Sequence, residues 1–231
     1  MIFGLGLETC LFDTFLKSIL EKKAYVCEIG CGTGYVPDGL KSFHNLTLSG
    51  SEIYVEGLKY ARKRLPGVEF FQADATELPV ENYYDAIGAF DVLEHIDADK
   101  RAIESVYKSL KSDGYFFITV PQFQWMWSRE DDVAFHKRRY AKEGLAKKLK
   151  DVGFQILFIN SFVATLFPFM VFQRLIGRIT SKQNSTATQG LRLPFLLNKV
   201  FYFLMFIDLA LIKVGISLPW GGSLVCVVRK K

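Results

Sequence analysis

The apolar positions of this chain change period repeatedly, and the changes outline alternating helices and strands. Leu11, Phe12, Phe15, Leu16, Ile19 and Leu20 recur at helical spacing, and Glu21-Lys22-Lys23 closes that run with charge. A strand over 24–29 follows, then a glycine-rich turn, then a helix over 36–40 whose Pro37 suits only a first turn. A second strand is predicted over 46–51, and the next helix presents Val55, Leu58, Ala61 and Leu65 before Pro66-Gly67 stops it. Strands follow over 68–72, 86–90 and 115–120, the last behind an Asp113-Gly114 turn. A helix over 98–110 buries Ile103, Val106, Tyr107 and Leu110. A helix over 142–152 ends at Gly153 and feeds a strand over 154–159, and a last strand spans 223–228. Seven strands interleaved with helices predict an α/β fold with a doubly wound, mostly parallel sheet.

Between the last two strands the pattern loses its polar phase. No charged residue occurs from Val152 to Gln173, and a second apolar stretch from Val200 to Ile216 carries only Asp208 and Lys213. In the helix expected over 195–213, Asn198, Lys199, Tyr202, Asp208 and Lys213 form a narrow polar stripe, so most of its circumference wants burial. The Ser/Thr/Gln-rich segment 180–190 reads as an exposed loop. An apolar helical insertion over about 162–216 is expected to be a packed cap, a homodimer interface or a peripheral membrane contact. Spanning is disfavoured because Asn160, Pro168 and the strand over 154–159 use part of the run, and because spanning would detach the final strand from its sheet.

With 231 residues and 50% hydrophobic content the chain can bury the core of one domain carrying that insertion. The net charge of +5 comes from short clusters such as Lys137-Arg138-Arg139, Lys147-Lys148 and Arg229-Lys230-Lys231, which read as solvated faces, so no nucleic-acid partner is expected. The four cysteines suggest no disulfide framework, and Cys27 and Cys31 lack a second Cys or His pair at ligand spacing, so no metal site is expected. Met1-Ile2-Phe3-Gly4 lacks a basic n-region, and a cytoplasmic location is expected.

The chemistry concentrates at Glu28-Ile29-Gly30-Cys31-Gly32-Thr33-Gly34, where the first strand turns into a helix. Glycines there let backbone approach a ligand that a Cβ would exclude, and the helix start offers unpaired N–H groups. A dinucleotide fingerprint would place its third glycine at Tyr35, and no Gly-Lys-Ser/Thr of a P-loop follows. The stretch resembles the first motif of class I S-adenosylmethionine-dependent methyltransferases, acidic-x-Gly-x-Gly-x-Gly, at all its positions. The resemblance covers about residues 24–160 and implies a Rossmann-like methyltransferase fold with S-adenosylmethionine as cofactor. It implies that Glu28, Gly30, Cys31, Gly32 and Gly34 cradle the cofactor, and that Glu52, with Ile53, takes the ribose hydroxyls at the end of the second strand. It further implies that Asp74-Ala75 meets the adenine after the third strand, and that Phe90-Asp91 lies beside the cofactor after the fourth.

Methyl transfer from a sulfonium is an in-line displacement from an excellent leaving group, so the protein mainly positions its reactants and excludes water. An acceptor hydroxyl or acidic carbon also calls for a base, usually His. Of the three histidines, His44 precedes the second strand and reads as surface, whereas His95 follows the fourth strand at the carboxyl edge, where ligands of such folds gather. His136, in Phe135-His136-Lys137-Arg138-Arg139-Tyr140, resembles a His-x-Arg-Arg-Tyr/Phe stretch of small-molecule family members. His95 and His136 are therefore the catalytic candidates, and Tyr140 a candidate substrate contact. Phe90-Asp91-Val92-Leu93 departs from the Asn/Asp/Ser-Pro-Pro-aromatic motif of the base methyltransferases, which favours the branch acting on quinone precursors, sterols and other small metabolites. The expected function is methyl transfer to a small, lipophilic acceptor, with a nicotinamide-dependent oxidoreductase or a non-catalytic cofactor-binding scaffold as alternatives.

Overall fold

A computed structural model describes residues 23–180 and 195–231. The helix expected near residues 8–20 and the loop after Thr180 lie outside them. Seven strands form one sheet in the order β3-β2-β1-β4-β5-β7-β6. They are β1 (Ala24–Ile29), β2 (Leu46–Glu52), β3 (Glu69–Gln72), β4 (Tyr84–Phe90), β5 (Leu110–Pro121), β6 (Phe154–Phe162) and β7 (Ser223–Lys230). The first five pair in parallel, while β7 runs antiparallel between β5 and β6. The expected doubly wound sheet is therefore present, with one strand reversed.

Both faces of the sheet are covered, and the strand period sorts the core accordingly. Along β5, Phe116 and Ile118 join Ile29, Ile87, Ile103 and Leu145 on one face, while Phe117 joins Val26, Val36 and Leu40 on the other. The helices follow the sequence pattern: α1 (Tyr35–Leu40), α2 (Val55–Arg64), α3 (Asp99–Ser109) and α5 (Lys142–Val152), the last ended by Gly153 at φ 114°. A short helix α4 (Arg129–Val133) was not foreseen; a capping box between Ser128 and Asp131 starts it. β5 begins five residues earlier than expected, because Asp113 adopts φ 65° and lets the segment from Leu110 stay paired across a register shift.

The apolar insertion divides into α6 (Phe167–Thr180) and α7 (Phe195–Lys213). Met205, Leu209 and Ile212 of α7 pack on Phe162 and Val225 of the sheet edge. Asp208, expected on a polar stripe, is instead fully buried and accepts N–H bonds from Ala164 (2.7 Å) and Thr165 (3.1 Å), satisfying the chain where β6 ends. Asn160 clamps the return segment: its amide donates to the Ile216 carbonyl at 2.8 Å, and its oxygen accepts the Leu218 N–H at 2.7 Å. Among the described residues no helix is long and apolar enough to cross a membrane.

Candidate active site

The strand order reverses direction of growth between β1 and β4, which pair as Glu28↔Gly88 and Ile29↔Ala89. Ligands of open α/β sheets bind outside the carboxyl ends at such a point. A cleft of about 1070 Å³ opens there, lined by Gly30, Glu52, Ile53, Asp74, Ala75, Asp91, His95, Phe135 and Lys137 among others.

The three glycines of the first turn serve three different purposes. All have positive φ (65°, 51° and 78°), which L-residues rarely adopt. A Cβ on Gly30 would lie 2.5 Å from a Val92 methyl, so this glycine admits the segment after β4. A Cβ on Gly34 would meet Ala61 at 3.1 Å, so this one seats α2. A Cβ on Gly32 would meet nothing within 4 Å, which leaves a backbone cradle open to a ligand. Its N–H donates to Glu52 Oε2 at 3.0 Å, while Oε1 accepts the Tyr54 N–H at 3.1 Å. The carboxylate is thus fixed in orientation and keeps lone pairs for further donors.

Several candidates stand elsewhere than in the cleft wall. Glu28 is buried on the α1 side with Phe90, which packs near Val26 and Leu40. The Cys31 side chain turns inward onto Leu58, Ala61 and Phe70, where burial pushes its thiol well up. Asp74 does face the cleft, and its Oδ1 accepts the Thr76 N–H at 2.8 Å, an Asx turn that holds the loop. Tyr140, expected to touch substrate, is buried 2.8 Å from Asp99 Oδ2 and 3.1 Å from the Leu93 carbonyl, with Lys148 also on Asp99. It anchors its loop to α3 and is absent from the cleft wall.

The segment after β4 distributes its side chains by a single 3₁₀ turn, Leu93–His95. At three residues per turn successive side chains point about 120° apart. Leu93 enters the core, Glu94 is fully buried beneath the cleft, and His95 lines it. Asp91, at φ 50°, turns the chain off the strand, its N–H bonded to the Thr119 carbonyl and its Oδ1 accepting the Thr119 hydroxyl at 3.2 Å. Asp91 is exposed on the cleft wall, whereas desolvation raises the carboxyl of the buried Glu94, with Asp91 adding like charge. Desolvation and nearby His136 lower His95, which favours neutral imidazole.

His136 comes from the loop that follows α4. Its Nδ1 lies 2.9 Å from Asp131 Oδ1, and its Nε2 lies 4.0 Å from Glu94 Oε1. Asp131 also accepts from Arg139 Nε at 2.8 Å and from the Ser128 N–H at 2.9 Å. Burial pushes the Asp131 carboxyl up, but the Arg139 and His136 bonds outweigh it and hold it below the usual range. His95 and His136 meet edge to face, centroids 4.7 Å apart. The structure therefore brings both candidate histidines together and adds Glu94 and Asp131, which sequence reasoning passed over. An acid inside the apolar run Val92-Leu93-Glu94 was the available signal for the first; Asp131 sits in a charged run that reads as solvated.

Residues 27–118 match the family described as a methyltransferase domain. A Mycobacterium tuberculosis protein bearing the name of an S-adenosylmethionine-dependent methyltransferase is 29% identical over 133 residues, 56% of this chain and 48% of that protein. Residues 27–118 run from β1 into β5, the part of the sheet that builds the cleft. The chain spans about half the length of the curated relatives it matches. The phthiotriol/phenolphthiotriol dimycocerosates methyltransferase of M. tuberculosis is 30% identical over 100 residues, 39% of this chain and 35% of its own. The solved phosphoethanolamine N-methyltransferase 2 of Haemonchus contortus, in complex with S-adenosyl-L-methionine, superposes with a TM-score of 0.62 at 16% identity. That match covers 98% of this chain and 56% of the other. The lining of the cleft fits S-adenosylmethionine. Four carboxylates line the wall (Glu52, Asp74, Asp91, Asp97) against one ammonium (Lys137), an acidic site in a chain of net charge +5. That balance suits a sulfonium and an amino group, and repels the pyrophosphate of a dinucleotide.

Proposed function

We propose that this protein transfers a methyl group from S-adenosylmethionine to a small, lipophilic acceptor, acting at or near a membrane surface. The observation that carries the reading is the acidic cleft at the β1/β4 switch point, where Glu52 on the wall accepts the N–H of the uncrowded Gly32. The cofactor supplies a methyl group on a sulfonium, activated for in-line displacement. Gly32 and Glu52 hold the nucleoside end, Asp74 and Ala75 bound the base, and Asp91 stands near the charged end. His95 stands on the cleft wall edge to face with His136, where an acceptor would meet the pair.

The lipophilic acceptor follows from the insertion, which we read as a cap of the same single domain. One face of α7 docks on the sheet, but Phe203 and Phe206 on it, and Phe172 and Leu175 on α6, are each half or more exposed. Arg174 of α6 approaches Asp131 to 3.6 Å, so this greasy element is tied to the loop that carries His136. The mycobacterial relative named for phthiotriol and phenolphthiotriol dimycocerosates supports the same direction. Large apolar side chains exposed in such number on two helices suit a binding face.

Calorimetric titration with S-adenosylhomocysteine and with NAD tests the donor: saturable binding of the first alone is expected, and binding of NAD alone would overturn the reading. Flotation with liposomes tests the surface. Co-flotation is expected; a protein that stays at the bottom and sediments as a dimer would assign the apolar face to a second copy instead.

A further inference from the structure

Glu94 is fully buried, and neither carboxylate oxygen has a hydrogen-bond partner among the described residues. Buried carboxylates are strongly destabilising unless something compensates them. The groups in front of Glu94 are two imidazoles. One ligand atom from each of Glu94, His95 and His136 lies within 4.8 Å of the other two.

The orientation of His136 is the informative detail. Asp131 Oδ1 stands 2.9 Å from Nδ1 and is ion-paired with Arg139 at 2.8 Å, so the hydrogen bond between them is assigned with the N–H on Nδ1. Nε2 then presents a lone pair towards Glu94 Oε1 at 4.0 Å. At that separation the two atoms do not hydrogen-bond, and Glu94 Oε1 has no other hydrogen-bond partner among the described residues, so a cation between them would satisfy both. Carboxylate–histidine–metal relays have this construction, in which the outer carboxylate fixes the tautomer and aims the ring. A tetrahedral ion with bonds near 2.1 Å holds ligand atoms about 3.5 Å apart, so the pair needs to close by only about 0.5 Å.

We propose that Glu94, His95 and His136 bind a divalent transition-metal cation of the Zn²⁺ class, with a coordination position open to the cleft. Two imidazoles and one carboxylate suit zinc and its neighbours, whereas magnesium and calcium prefer all-oxygen sites. The open position follows from His95, which lines the cleft, and from Asp91 beside it. A water or hydroxyl bound there loses its proton far more readily than in bulk water. Use of that position by the acceptor rests on the methyl-transfer reading; metal binding itself does not.

The test uses the purified full chain, stripped with chelator and titrated with ZnCl₂ in a calorimeter, with bound metal counted after equilibrium dialysis. One equivalent is expected, with CoCl₂ in its place producing the intense visible absorption of a low-coordinate cobalt site. His95→Ala alters an exposed side chain and His136→Ala a half-buried one; each should weaken binding at least roughly 100-fold. Glu94→Gln should do the same, and circular dichroism checks that each variant is folded. Failure of the wild type to bind a full equivalent overturns the proposal, as does undiminished binding in folded His95→Ala. A parallel titration with S-adenosylhomocysteine, unaffected by the metal result, keeps this failure distinct from failure of the donor assignment.

Discussion

Two loops close on the same cleft and are built in opposite ways. The turn after β1 is made by backbone: three residues at positive φ, each glycine, with one carboxylate from Glu52 steadying the middle N–H. The Ser128–Tyr140 loop is made by side chains: Asp131 gathers Ser128, His136 and Arg139, and Tyr140 reaches 41 residues back to Asp99. The first loop holds a ligand by having nothing in the way. The second delivers a side chain by having everything tied down, so the two should fail differently when damaged.

The largest expected effect lies in the second loop. Asp131→Ala leaves buried Arg139 without its partner, and breaking such a pair costs about 3–5 kcal/mol. Urea unfolding should show a loss of that size; a change under 1 kcal/mol would mean that Asp131 organises nothing. Gly32→Val should invert the pattern, with S-adenosylhomocysteine affinity falling at least roughly 100-fold, about 2.8 kcal/mol. Its stability loss should be only the roughly 1–2 kcal/mol of a left-handed non-glycine residue. Unchanged affinity would remove Gly32 from the site.

Tyr140→Phe should cost about 1–3 kcal/mol by leaving Asp99 under-satisfied, with little effect on cofactor affinity; a large affinity loss in the same titration would return Tyr140 to the site. The same anchor sets a pH dependence. Burial raises the Asp99 carboxyl, but the Lys148 and Tyr140 hydrogen bonds outweigh it and hold it below its ordinary value. The stability it contributes is therefore fully present above the unfolded value of about 3.9 and is lost as pH falls through the lower folded value. Wild type should exceed Asp99→Asn in unfolding free energy at pH 7, and the gap should close in acid; a gap constant with pH would refute the ion-pair account. Smallest in stability, within about 0.5 kcal/mol, is Phe203→Ser with Phe206→Ser on the exposed face of α7. Liposome flotation should nonetheless drop, and full retention would move membrane contact elsewhere.

The same contrast explains what was legible. β1, α5 and α7 fall where their periodicity placed them, since the period of apolar residues and the Gly153 stop are local signals. Glu52 and Asp74 could be placed at successive strand ends because strand, turn and helix lengths count out in order. The burial of Tyr140 was not legible, because a tyrosine in a basic loop carries no mark of it until Asp99 arrives from another element. Phe90 looked like cofactor wall, but strand alternation turned it to the other face of the sheet. Asp208 looked like the edge of a polar stripe until β6 supplied two N–H groups for it.

The sequence by itself determined the order of elements, the doubly wound sheet and the glycine turn, because each depends on residues within a few positions of one another. Only the tertiary structure decided that the two histidines meet, that Glu94 stands buried against them, and that Phe203 and Phe206 of α7 stand exposed. Those outcomes depend on contacts between segments about 40 residues apart or more, where burial and hydrogen-bond satisfaction choose the partner and no local pattern records the choice.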